Sequence, residues 1–197
     1  MLQEKRHKFK KISAIIGSIF SKLGLTPNQY TFFSIIFVFI AFYFLISESL
    51  ILTLIFFLIA GFLDFVDGSI ARFLKGETKK GAYLDTVCDR YVEGIILLGF
   101  LFLPLPDLFF PAKIWIFIAF LGSLMTTYSK AAAKEKELVQ IEFKKGLLGR
   151  AERIILILSA IILGIFNLSF VLYPIIFLAV LSNFTALQRI YLVLKEK

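Results

Sequence analysis

The chain has one cysteine, Cys88, and one histidine, His7, among 197 residues. A single cysteine excludes an intramolecular disulfide and a cysteine-based zinc cluster. His7 stands in a basic N-terminal run, which argues against histidine-dependent catalysis. Twelve glycines and five prolines are too few for a low-complexity chain. Charge is scarce too: 18% of residues are Asp, Glu, Lys or Arg, where soluble domains carry about a quarter. Apolar residues are abundant, at 59% of the chain with 24 phenylalanines and a mean hydropathy of +0.87. This is the composition of an integral membrane protein whose chemistry must use carboxylates, Lys, Arg or hydroxyls.

A hydrocarbon core about 30 Å thick takes about 20 helical residues per span, so six spans use about 120 residues. That leaves short loops and a single domain over residues 1–197. The apolar runs place the spans at 29–47, 50–73, 82–103, 113–130, 147–168 and 171–192. Ahead of them, Ile12, Ile15, Ile16, Ile19, Phe20 and Leu23 recur at helical spacing, while Lys8, Lys11, Ser18 and Lys22 lie elsewhere on the wheel. Residues 1–25 are therefore expected to form an amphipathic helix on a membrane surface, with a frayed basic leader as the plainer alternative. Ser13, Gly17, Ser18, Ser21, Lys22 and Gly24 interrupt the apolar stretch and no A-x-A site follows, so it is not read as a signal peptide. Thr26-Pro27-Asn28 signals a helix start, and Pro104, Pro106 and Pro111 punctuate a turn. The expected fold is all-α: six transmembrane helices over 26–197 plus the N-terminal surface helix.

Lys and Arg cluster in the N-terminal segment, in 72–80, in 130–145 and at Lys195 and Lys197. The alternate turns hold only Lys113. The positive-inside rule then puts both termini and the two basic loops in the cytoplasm of a multi-pass cell-membrane protein. The net charge of +8 also suits nucleic acid, but anionic headgroups explain juxtamembrane basic clusters without it.

Acidic residues inside spans are costly and point to function. They concentrate at Asp64 and Asp67 (i, i+3) and at Asp85, Asp89 and Glu93 (i, i+4, i+8), each set lining one helical face. The connection 73–82 makes the two helices antiparallel neighbours. Clustered carboxylates repel one another in a low dielectric, and hard divalent cations resolve that repulsion while leaving positions open for phosphate. Two such ions can clamp a phosphoryl group. The structural alternative is a buried network of these acids with Arg72 and Arg90. Gly68 and Ala71 leave a hollow beside the carboxylates, and Arg72 offers a bidentate fork to a diphosphate.

The pattern Asp64-x-x-Asp67-Gly68-x-x-Ala71-Arg72, eight residues, Gly81-x-x-x-Asp85-x-x-x-Asp89 resembles the signature of the CDP-alcohol phosphotransferases at every constrained position. The six-span topology with a surface helix is similar to that family as well. The resemblance implies transfer of the phosphatidyl-type group of a CDP-linked lipid to an alcohol, with release of CMP. It implies that Asp64, Asp67, Asp85 and Asp89 hold two divalent cations, Mg²⁺ or Mn²⁺, with Asp89 also the general base. Gly68 and Ala71 would accept the cytosine ring, Thr26, Pro27, Asp67, Arg72 and Gly81 would contact the CDP group, and the enzyme would be a homodimer.

Five basic residues outside that motif, Lys130, Lys134, Arg150, Arg153 and Arg189, fall at span ends expected to be cytoplasmic. With the surrounding segments they resemble the branch making phosphatidylinositol phosphate or archaetidylinositol phosphate, which implies inositol 1-phosphate as acceptor, read by Lys130, Arg150, Arg153 and Arg189. The chain departs from that branch in two places: Lys130-Ala-Ala-Ala-Lys134-Glu135 lacks one Arg, and Glu93 stands where Asp is usual. For these basic residues the plainer reading is positive-inside anchoring. Other acceptors or a CDP-inositol donor remain open within the transferase class. A cation-coupled transporter is the competing class, disfavoured because no broken helices in repeated halves are evident.

Overall fold

A computed structural model of the chain describes residues 2–138 and 146–195, with side chains from Lys10 onward. His7, Lys8, Lys145 and Lys197, named above for their charge, therefore lie outside the described side chains. The fold is all-helical: α1 (Leu2–Ser21), α2 (Pro27–Ile46), α3 (Leu50–Phe73), α4 (Lys79–Phe100), α5 (Ala112–Glu135), α6 (Arg150–Phe166), a short 3-10 helix (Leu168–Val171) and α7 (Leu172–Lys195). Four stretches are long and apolar enough to cross a membrane: Pro27–Ile46, Leu50–Phe73, Ala112–Glu135 and Leu168–Lys195. The other two expected spans are α4, whose face is acidic, and α6, which has 17 residues.

The helix limits follow local chemistry. Pro27 opens α2 with its pre-set φ, and the Gln29 side chain accepts hydrogen bonds from the Thr26 amide (2.7 Å) and hydroxyl (3.1 Å), closing the first turn. Thr78 accepts from the Gly81 amide at 3.0 Å, so α4 starts at Lys79, earlier than the apolar run. At α6, Glu152 accepts from the Gly149 amide at 2.9 Å, which fixes the start at Arg150. α5 runs on to Glu135 because the alanines after Lys130 are strong helix formers.

The contacts divide the chain into two units, residues 1–42 with 55–92, and 43–54 with 93–197. In the first, Tyr30, Val66 and Ile70 form a core against Ile16, Phe20, Leu25 and Leu63. The expected apolar face of α1 is split. Ile12, Ile15, Ile19 and Leu23 are exposed, whereas Ser13 and Gly17 are buried. Gly17 explains this: a Cβ there would meet the Ser69 carbonyl oxygen at 2.5 Å and Phe73 Cβ at 2.7 Å, so only glycine lets α1 seat this closely on α3. Gly24, at φ 74°, then turns the chain toward α2.

In the second unit α5 packs along α7 through small and polar residues, the usual glue between helices in lipid. The Thr126 hydroxyl donates to the Ser182 carbonyl at 3.0 Å, Asn183 Nδ2 donates to the Ile118 carbonyl at 2.9 Å, and Gly122 leaves room for Ser182 and Asn183. Outward faces carry Phe32, Phe39, Ile51, Phe117, Ile155 and Phe177.

Candidate active site

The acids of α3 and α4 converge. Asp64, Asp67 and Asp85 each place one carboxylate oxygen so that all three lie within 4.8 Å of one another. The connection that brings them together is shorter than the sequence suggested, only residues 74–78, because α4 starts early. Asp67 is buried, and its Oδ2 accepts a 2.6 Å hydrogen bond from the Thr31 hydroxyl on α2. Thr31 is a polar interruption one turn into α2 that the sequence reading passed over.

Three carboxylates this close are hard oxygen ligands that repel one another without a cation. Ligands opposite each other around Mg²⁺ stand about 4.2 Å apart, so a 4.8 Å set closes on one divalent ion with small shifts. The donor set thus fits the expected metal. Asp89 is not part of this trio. It is also buried, one turn along α4, with Oδ2 3.8 Å from Arg90 Nη2. Cys88 is buried beside these acids.

The expected donor-binding residues gather around the same helices. A Cβ on Gly68 would sit 3.2 Å from Arg72 Nη1, so the guanidinium lies over the face that glycine leaves open. Ala71 is half-buried next to it. Arg72 bonds to hydroxyls: Nε and Nη2 donate to Ser13 Oγ at 3.2 and 3.0 Å. Gly81 opens α4 close to the Thr26-Pro27-Asn28 turn, with Asn28 Oδ1 3.6 Å from where its Cβ would stand.

The expected acceptor cations all belong to the second unit, and they differ from one another. Arg153 is only 2% exposed and is held by Glu93 at both ends of one edge, Nε to Oε2 at 3.0 Å and Nη2 to Oε1 at 3.1 Å. The sequence suggests Arg153 among the phosphate-reading cations and places Glu93 on the acidic face of α4. The structure pairs the two, because a charge this deep requires a partner. Arg189 has a neutral partner: Nη1 donates to the Thr126 carbonyl at 2.6 Å, and Arg153 is near enough for its charge to act on Arg189. Gly146 lies against the Arg189 guanidinium, where a Cβ would come within 2.9 Å of Nε. Lys130 and Arg150 are half-buried and Lys134 is exposed.

Comparison with known proteins agrees with this reading. Residues 24–187 match the family model described as CDP-alcohol phosphatidyltransferase. The archaetidylinositol phosphate synthase of Pyrococcus horikoshii is 32% identical over 193 residues, covering 97% of this chain and 95% of that protein. The crystal structure of the Mycobacterium tuberculosis phosphatidylinositol phosphate synthase in complex with manganese and citrate superposes with a TM-score of 0.81 at 26% identity, covering 93% of this chain and 89% of that one. The same mycobacterial protein with CDP-DAG bound gives a TM-score of 0.79 at 25% identity, covering 94% of each chain. With its acids gathered at metal-binding distance on a bundle of apolar helices, the chain belongs to the CDP-alcohol phosphatidyltransferase family and is a divalent-metal-dependent transferase of phospholipid biosynthesis.

Proposed function

We propose that this enzyme transfers a phosphatidyl-type group from a CDP-linked lipid to a hydroxyl of inositol 1-phosphate, at the cytoplasmic face of a cell membrane. It crosses that membrane six times and lays α1 on its surface. Asp64, Asp67, Asp85 and Asp89 hold two divalent cations, Mg²⁺ or Mn²⁺, which when bound neutralise charge on the reacting phosphoryl oxygens. Gly68 and Ala71 seat the cytosine, and Arg72, with Gly81 and the Thr26-Pro27 turn, holds the rest of the CDP group. The acceptor hydroxyl oxygen attacks the lipid-bearing phosphorus as its proton passes to Asp89. The bond from that phosphorus to the CMP oxygen breaks, and CMP departs with the electron pair.

The observation that carries the acceptor assignment is Arg189. It is a half-buried guanidinium whose described hydrogen-bond partner is a neutral carbonyl, within the influence of Arg153. A half-buried guanidinium resting on a carbonyl suits an anionic ligand, and a phosphate monoester takes its fork geometry well. Similarity over nearly the full length to an archaetidylinositol phosphate synthase supports the same reading. In membranes containing the enzyme, a CDP-lipid and Mg²⁺, CMP release is expected with inositol 1-phosphate and not with free inositol, serine or glycerol phosphate. Faster release with any of those three would overturn the acceptor assignment and leave the transferase standing.

A further inference from the structure

Arg72 is long and flexible and sits in the last turn of α3, so its helix alone does not decide where its guanidinium points. Two serine hydroxyls do, Ser13 of α1 and Ser69 of α3 itself, and Ser69 Oγ also accepts from Arg72 Nη2, at 3.4 Å. Ser13 of α1 accepts from both Nε (3.2 Å) and Nη2 (3.0 Å) of Arg72. Ser13 in turn donates to Ser69 Oγ at 3.0 Å, and Ser69 donates to the Phe65 carbonyl at 2.8 Å. Both serines are buried, at 4% and 0% exposure. A serine hydroxyl has one hydrogen and two lone pairs, so Ser13 is fully used and holds a single orientation. With that edge held, Nη1 is left over the open face of Gly68.

We propose that Ser13 is a positioning residue for the donor: through two hydrogen bonds it aims Arg72 at the diphosphate of the CDP-lipid. The inference rests on the reading of Arg72 as a donor contact. The chemistry of the partner matters as much as its place. A carboxylate at position 13 would also hold the guanidinium but would cancel its charge, whereas a hydroxyl fixes it and leaves the positive charge for the anionic substrate. Gly17, one turn further along α1, is what allows this reach, since any side chain there collides with Ser69 and Phe73. The N-terminal helix thus completes the donor side of the active site.

The test is two-substrate steady-state kinetics of Ser13→Ala, Arg72→Ala, the double variant and Ser13→Asp in membranes. Losing a hydrogen bond to a charged group that only orients it is expected to raise the donor KM about five- to tenfold in Ser13→Ala. The acceptor KM and kcat should hold. Ser13→Ala should add nothing in the Arg72→Ala background, and Ser13→Asp should weaken the donor although the arginine stays held. Gly17→Val, which lifts α1 while sparing Ser13, should give the same donor-only signature. A parent-like donor KM in Ser13→Ala, alongside a raised one in Arg72→Ala, would overturn the positioning role and leave Arg72 as a donor contact. A parent-like donor KM in Arg72→Ala would overturn the donor reading itself. Equal rises in both KM values would mark Ser13 as merely structural and would also overturn the proposal.

Discussion

The three carboxylates of the first unit come from two helices joined by five residues, 74–78, whereas the cations of the second unit come from three helices spread over residues 130–189. The acids gather into one set, their nearest oxygens all within 4.8 Å of one another. The cations divide: Arg153 is tied to Glu93, Arg189 leans on a carbonyl, and Lys134 is exposed. The difference teaches that helical spacing inside a hairpin determines geometry, while cations from separate helices take their work from whichever partner the packing supplies. Residue type alone does not rank such cations.

The first way to break the comparison is to remove the metal. Without a cation the acidic trio becomes a repulsive cluster, so excess chelator should cut turnover by at least about a thousandfold, with Mg²⁺ or Mn²⁺ restoring it. Turnover that persists in chelator would reduce the acids to a structural set.

The buried pair comes next. Arg153→Ala removes the buried ion-pair partner of Glu93, which should cost about 3–5 kcal/mol of stability, read as a lower melting temperature in detergent. Replacing both partners by leucine should recover most of that loss. If Arg153→Ala melts like the parent and loses only acceptor affinity, Arg153 reads phosphate directly and the division among the arginines fails.

Asp89 stands outside the trio, and in the base role proposed for it, it should be needed for chemistry more than for binding. Asp89→Asn should lower kcat at least about a hundredfold while the donor still binds. Near-parent turnover would take the base role from it.

A smaller effect is expected at Thr31, whose hydroxyl orients Asp67. Thr31→Val should raise the Mn²⁺ concentration for half-maximal activity at least about tenfold, as other outer partners of metal ligands do. An unchanged metal requirement would mean that Asp67 needs no orienting.

These contacts mark where sequence reasoning stops. Asp64, Asp67 and Asp85 were legible because i, i+3 spacing and an antiparallel connection leave a hairpin few other arrangements. The early start of α4 was not, because Lys79 and Lys80 interrupt the apolar run while Thr78 still caps the helix. Thr31, Ser13 and Glu93 were hidden for another reason. Their partners Asp67, Arg72 and Arg153 lie 36, 59 and 60 residues away, and no local period connects them. On α1 the isoleucines advertise an apolar face, yet only Ile16 joins Phe20 against the core, and glycine and serine make the closest approach to α3.

The proposed function gives metal and donor to Asp64, Asp67, Asp85 and Arg72, and the acceptor phosphate to Arg189. Its most direct test is the pair of KM values for Arg189→Ala, measured with a CDP-lipid and inositol 1-phosphate. Loss of a charge-assisted hydrogen bond to phosphate should raise the acceptor KM about ten- to a hundredfold. The donor KM should keep its parent value. A raised donor KM with an unchanged acceptor KM would contradict the account.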